Sequence, residues 1–88
     1  MKIKFVIDGG LKLSELSNLI TDNACFKIEK SIINIPCVPT LDMKISLNDF
    51  KDCFDLSEKE KKIFDYDLYY TISEIYIQPK YLQLFLES

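Results

Sequence analysis

The chain of 88 residues is 48% apolar, with six Phe and five Tyr, which is bulk enough for one continuous core without disulfides and too little length for a second domain. Fourteen acids against eleven bases leave a net charge of −3, every base is Lys, and Arg, His and Trp are absent. This composition argues against disorder, against a dedicated reader of nucleic acid, which favours the forked contacts of Arg, and against His-assisted catalysis.

No apolar run approaches the roughly 18 to 20 residues that cross a bilayer, and Met1–Asp8 alternates Lys with apolar residues instead of forming the core of a signal peptide. Three cysteines, Cys25, Cys37 and Cys53, are an odd number that suits reduced thiols better than a disulfide framework. The expectation is a single domain over residues 1–88, made and kept in the cytoplasm, with no membrane contact.

In Lys2–Ile7, Ile3, Phe5 and Ile7 alternate with Lys2, Lys4 and Val6, the period of a strand, and Asp8-Gly9-Gly10 follows as a turn. Leu11 and Leu13 fit either a short return strand or a loop. Ser14 has the chemistry of a helix cap, with Leu16, Leu19, Ile20 and Asn23 at helical spacing behind it, which predicts a helix of about two turns. From Cys25 to Ile35 the period reads as two: Phe26, Ile28 and Ile32 share one face while Lys27, Glu29 and Ser31 share the other, which predicts a half-exposed strand.

Pro36 and Pro39 place the next stretch in a rigid connection, since proline donates nothing to a ladder. Met43, Ile45 and Leu47 restart the alternation. Asn48–Phe54 suits a helical turn, and Ser57-Glu58-Lys59-Glu60 has the spacing of a capping box, so a second helix broken near Asp55 is expected, with Ile63 and Phe64 buried. Tyr66–Ile77 predicts a long strand, with Tyr66, Leu68, Tyr70, Ile72 and Tyr76 on one face and Tyr69, Thr71, Ile75 and Ile77 on the other. Gln78-Pro79-Lys80 makes a turn, and Leu82, Leu84 and Leu86 suggest a closing strand in competition with a terminal helix.

Strand, helix, strand, strand, helix, strand and one extra C-terminal element predict an α+β fold of the ferredoxin-like βαββαβ split-plait type. If Leu11–Leu13 is a strand, a ubiquitin-like β-grasp is the alternative.

Motifs that carry chemistry are scarce. Asp8-Gly9-Gly10 lacks the further glycines or the Gly-Lys-Ser/Thr end of a nucleotide-binding loop. The cysteines are too far apart for a zinc site, and Asp49, Asp52 and Asp55 lack the pattern of an EF-hand. Cys37 has no His to serve as base. No catalytic residue, metal or cofactor is therefore expected, and the chain reads as something other than an enzyme.

Charge is uneven along the chain. Met1–Lys51 holds seven Lys and six acids, whereas Asp52–Ser88 holds four Lys and eight acids. Asp49, Asp52, Asp55, Glu58, Glu60, Asp65 and Asp67 run into Tyr66, Tyr69 and Tyr70, and this anionic, aromatic mixture suits a basic partner protein. The function expected is that of an inhibitor or immunity protein that neutralises a toxin, nuclease or defence enzyme, an analogy drawn at the level of the class. Phe5-Val6-Ile7-Asp8-Gly9 followed by Ser14-Glu15-Leu16 resembles the start of barstar-type inhibitors over less than a quarter of the chain. The aromatic and glycine motif of that family's binding helix is absent, so membership does not follow. Two other readings stand beside this one: nucleic-acid binding by Lys2, Lys4, Lys27 and Lys30 on exposed strand positions with Phe26, and a homo-oligomer joined by a strand edge or by the tyrosine face.

Overall fold

The computed structural model describes residues 1–88, which form an α+β domain around a five-stranded mixed sheet. Strand β1 (Lys2–Ile7) is followed by a ten-residue connection and helix α1 (Asn18–Lys30). Then come β2 (Ile32–Asn34) and β3 (Lys44–Ser46), two 3-10 helices at Leu47–Cys53 and Glu60–Asp65, and the hairpin of β4 (Tyr69–Ile77) with β5 (Leu82–Glu87). The sheet order is β2-β1-β5-β4-β3. The first and last strands run parallel at its centre, and every other pairing is antiparallel.

This order does not match the split plait, because β1 lies between β2 and β5 and the second crossover holds 3-10 turns instead of a full helix. The hairpin on which the β-grasp alternative depended is also missing. Leu11–Leu13 is loop, with Leu11 buried and Leu13 packed against the core.

The largest departure from expectation is α1. It is capped by Ser17, whose Oγ accepts from the Ile20 N–H at 3.3 Å, and it runs through Cys25–Lys30, where a strand was predicted. Thr21, Ala24, Cys25 and Ile28 form its buried stripe at helical spacing, but Thr and Ala are weakly apolar, so the stripe was masked by the louder alternation of Phe26, Ile28 and Ile32. Phe26 is consequently exposed on the helix surface, with Lys30 Nζ 5.5 Å from its ring centre.

The helices pack on one sheet face, over Ile3, Phe5 and Ile7, Leu84 and Leu86, Tyr70 and Ile72, and Ile33. Phe5 meets Phe50 of the first 3-10 helix and Phe54 just after its end, with ring centres 5.7 and 6.4 Å apart. A bulge lies between Ile72 and Glu74, so Ile72 opposes Leu86 and Ile75 opposes Leu84. The extra residue, Ser73, reverses the alternation beyond it. Ile75 therefore joins the inner face, and Tyr76, expected beside Tyr70, emerges on the open face against Phe85 at 4.8 Å. No helix is long and apolar enough to cross a membrane.

Candidate functional site

The acidic segment is built on the two 3-10 helices and the chain leading into β4. One side chain holds these pieces together. Asn48 Nδ2 donates to the carbonyls of Phe64 and Tyr66, each at 3.0 Å, and Asn48 Oδ1 accepts from the Leu68 N–H at 3.2 Å. Only an amide matches two acceptors and one donor in this way, and only in this orientation. The Leu47 N–H adds a backbone bond to the Leu68 carbonyl at 3.0 Å.

The capping box forms as its spacing predicts. The Ser57 N–H donates to Glu60 Oε1 at 2.8 Å, and the Glu60 N–H donates to Ser57 Oγ at 3.2 Å. The same carboxylate oxygen receives Lys27 Nζ from α1 at 2.7 Å. The Lys27 bond first, and the Ser57 N–H second, hold the Glu60 carboxyl below its ordinary range.

The predicted site residues separate into two groups. Asp49, Asp52, Asp55, Glu58, Asp65, Asp67 and Tyr69 are exposed, Tyr69 to 65%, while Tyr66 is half-buried against the core. Glu60 and Tyr70 do not belong with them. Glu60 is 6% exposed because it ties α1 to the second 3-10 helix, and Tyr70 is 8% exposed because β4 turns it inward. Burial, and after it the charge of Cys25, raises the Tyr70 phenol above its ordinary value. Of the exposed acids only Glu58 has an ion-pair partner, Lys61 at 3.7 Å. The surface is nevertheless mixed: Lys51 and Lys61 line a shallow cleft of about 320 Å³ with Asp52, Asp65 and Phe64.

The lysines named for nucleic-acid binding are divided by the fold. Lys2 and Lys4 lie on the open sheet face, whereas Lys27 and Lys30 occupy the last turn of α1, Lys27 being committed to Glu60. What the sequence did not reveal is the company Lys4 keeps. Its Nζ stands 5.6 Å from the Tyr81 ring centre, and the uncovered face also carries Tyr76 and Phe85. The bulge at Ser73 brings Tyr76 against Phe85, and periodicity alone does not show it.

Gly9 and Gly10 adopt positive φ values of 76° and 71°, the reason for glycine in this turn, and they line a small hollow of about 180 Å³ with Asp8, Lys12, Tyr70 and Ser88. No three metal-ligating side chains converge. All three cysteines are free; Cys37 and Cys53 are exposed. Burial, and next the Glu29 carboxylate, pushes the Cys25 thiol up to about 11, which makes it a poor nucleophile. The chain matches no protein-family model, no curated protein and no solved structure.

Proposed function

We propose that this domain binds a basic protein partner through the acids of its two 3-10 helices and the loops beside them, together with Tyr69, acting as an inhibitor or immunity protein without chemistry of its own. The observation behind this reading is that Asp49, Asp52, Asp55, Asp65 and Asp67 stand exposed without an ion-pair partner, on a frame held by Asn48 and Glu60 and beside an exposed ring. Carboxylates left unneutralised on a fixed frame attract a positive surface at long range, and a Tyr held on a strand supplies contact area at low entropic cost.

The test is capture from lysate of the native host with the immobilised chain, at low and high salt, with and without nuclease. The proposal expects a stoichiometric, nuclease-resistant protein that salt releases. Recovery that disappears with nuclease would favour the second reading, nucleic acid on the open sheet face, which Lys4, Tyr81, Tyr76 and Phe85 support.

A further inference from the structure

Two strands of this sheet extend beyond their outer neighbours, and the chain treats them differently. β2 pairs with β1 at Lys2–Lys4, flanked by bonds between Met1 and Ile35, and beyond that ladder the Ile7 N–H of the same edge donates to Glu29 Oε2 of α1 at 2.8 Å. β3 pairs with β4 only at Tyr69–Thr71, and two further bonds join Ile72 to Asp42 and Met43. Past Ile72 nothing bonds to the outer edge of β4: Ser73–Ile77 pairs with β5 on its inner side and makes no backbone bond to any loop.

The direction of the unpaired groups follows from the hairpin. The Gln78 N–H donates to the Tyr81 carbonyl at 2.9 Å, so the bonded positions towards β5 continue through Tyr76 and Glu74, and the N–H and C=O of Ile75 and Ile77 face outward. Ile77 is also the most exposed large apolar side chain of the protein, at 84%.

We infer that this edge pairs with the same edge of a second copy of the chain, antiparallel about a two-fold axis at Tyr76. This rests on the backbone geometry and is independent of the acidic face. In this register Ile75 opposes the second copy's Ile77 and the two exchange both backbone bonds. The symmetric pair does the same, so all four outward groups of each strand find partners. The side chains agree with it. Ile75 and Ile77 meet on the inner face; on the open face Tyr76 meets its own copy, and the Glu74 carboxylate faces the Gln78 amide, a donor matched to an acceptor. A register centred on Ile75 places Ile77 opposite the bulged Ser73 and loses bonds, and one centred on Ile77 places Ile75 opposite Pro79, which has no N–H. The strand is thus complementary to itself in one register, which selects a second copy over an unrelated peptide.

Sedimentation equilibrium from about 10 µM to about 500 µM reads the mass directly. The proposal predicts a rise towards twice 10.3 kDa, abolished by Ile77→Lys. That position is exposed, so the variant keeps its fold, as circular dichroism would verify. A register test uses Tyr76→Cys in a background with Cys37→Ser and Cys53→Ser. Residues directly opposite at a non-bonded pair have Cα atoms about 4.5 Å apart, so oxidation should give a disulfide-linked dimer, while Glu74→Cys in the same background should not. A wild-type mass that stays monomeric over this range overturns the proposal, as does a dimer that survives Ile77→Lys or cross-links equally through Glu74→Cys.

Discussion

Replacing Asn48 by Ala tests how the candidate site is held. Three hydrogen bonds disappear, two to the carbonyls of Phe64 and Tyr66 and one from the Leu68 N–H. At about 1 kcal/mol net for each bond, the loss sums to about 3 kcal/mol, and in a chain this short that lowers Tm by on the order of 15 °C. Asn48→Asp sharpens the test, because Asp keeps the acceptor for Leu68 but has no donor, and its negative charge faces two carbonyl oxygens. It should therefore be no more stable than Asn48→Ala at neutral pH. Urea unfolding followed by far-UV circular dichroism, with the slope of the transition compared between variants, supplies the free energies. A loss below about 0.5 kcal/mol for Asn48→Ala would refute the assignment of Asn48 as the staple, and so would a wild-type level of stability in Asn48→Asp.

Other consequences follow from titration and access. The Cys25 thiol is held neutral in the fold, its folded value of about 11 standing above the unfolded 9.0, so stability is full below 9.0 and is lost as pH rises towards 11. The raised Tyr70 phenol contributes with the same sign at the upper end of this range, so Cys25→Ala should weaken the alkaline loss in a urea-unfolding series and Cys25→Ala/Tyr70→Phe should flatten it further. Glu60 has the opposite sign. Its folded value lies below the unfolded 4.5, so its contribution is present above 4.5 and disappears as pH falls through the folded value, and Glu60→Gln should remove that acid-side dependence in the same assay. Under native conditions at mildly alkaline pH a thiol reagent should label Cys37 and Cys53 and leave Cys25 unlabelled until denaturant is added, as mass spectrometry would show.

Strands were legible where a clean period of two met bulky side chains. Lys2–Ile7 places Ile3, Phe5 and Ile7 on one face and Leu82–Glu87 places Leu82, Leu84 and Leu86 on one face, although nothing in that period shows that the two strands pair in parallel or lie at the sheet centre. The helix was misread because its buried stripe includes Thr21 and Ala24, whereas its exposed surface includes Leu19 and Phe26. Local pattern points the wrong way when small residues face the core and large ones face water. The strand expected over Tyr66–Ile77 begins only at Tyr69; its faces follow the expected alternation as far as Ile72, and a single bulged residue then exchanges the faces of Tyr76 and Ile75.

The acids of the candidate site were visible in the sequence, as was the capping box that involves Glu60. Its partner Lys27 lies 33 residues away, and no local pattern joins them. Asn48 is the same kind of case, an unremarked polar residue whose three partners lie 16 to 20 residues downstream. The open edge at Ser73–Ile77 depends on β3 being only three residues long, a length that the run Met43, Ile45, Leu47 does not disclose.

The measurement that bears most directly on the function proposed is partner capture by three forms of the immobilised chain. These are the wild type, Asp52→Lys/Asp55→Lys/Glu58→Lys on the first 3-10 helix and the connection that follows it, and Lys2→Glu/Lys4→Glu on the open sheet face, all at low salt with nuclease present. The account predicts that the partner held by the wild type is lost from the first variant and retained by the second. Retention by the first variant together with loss from the second would contradict it and move the binding surface to the sheet.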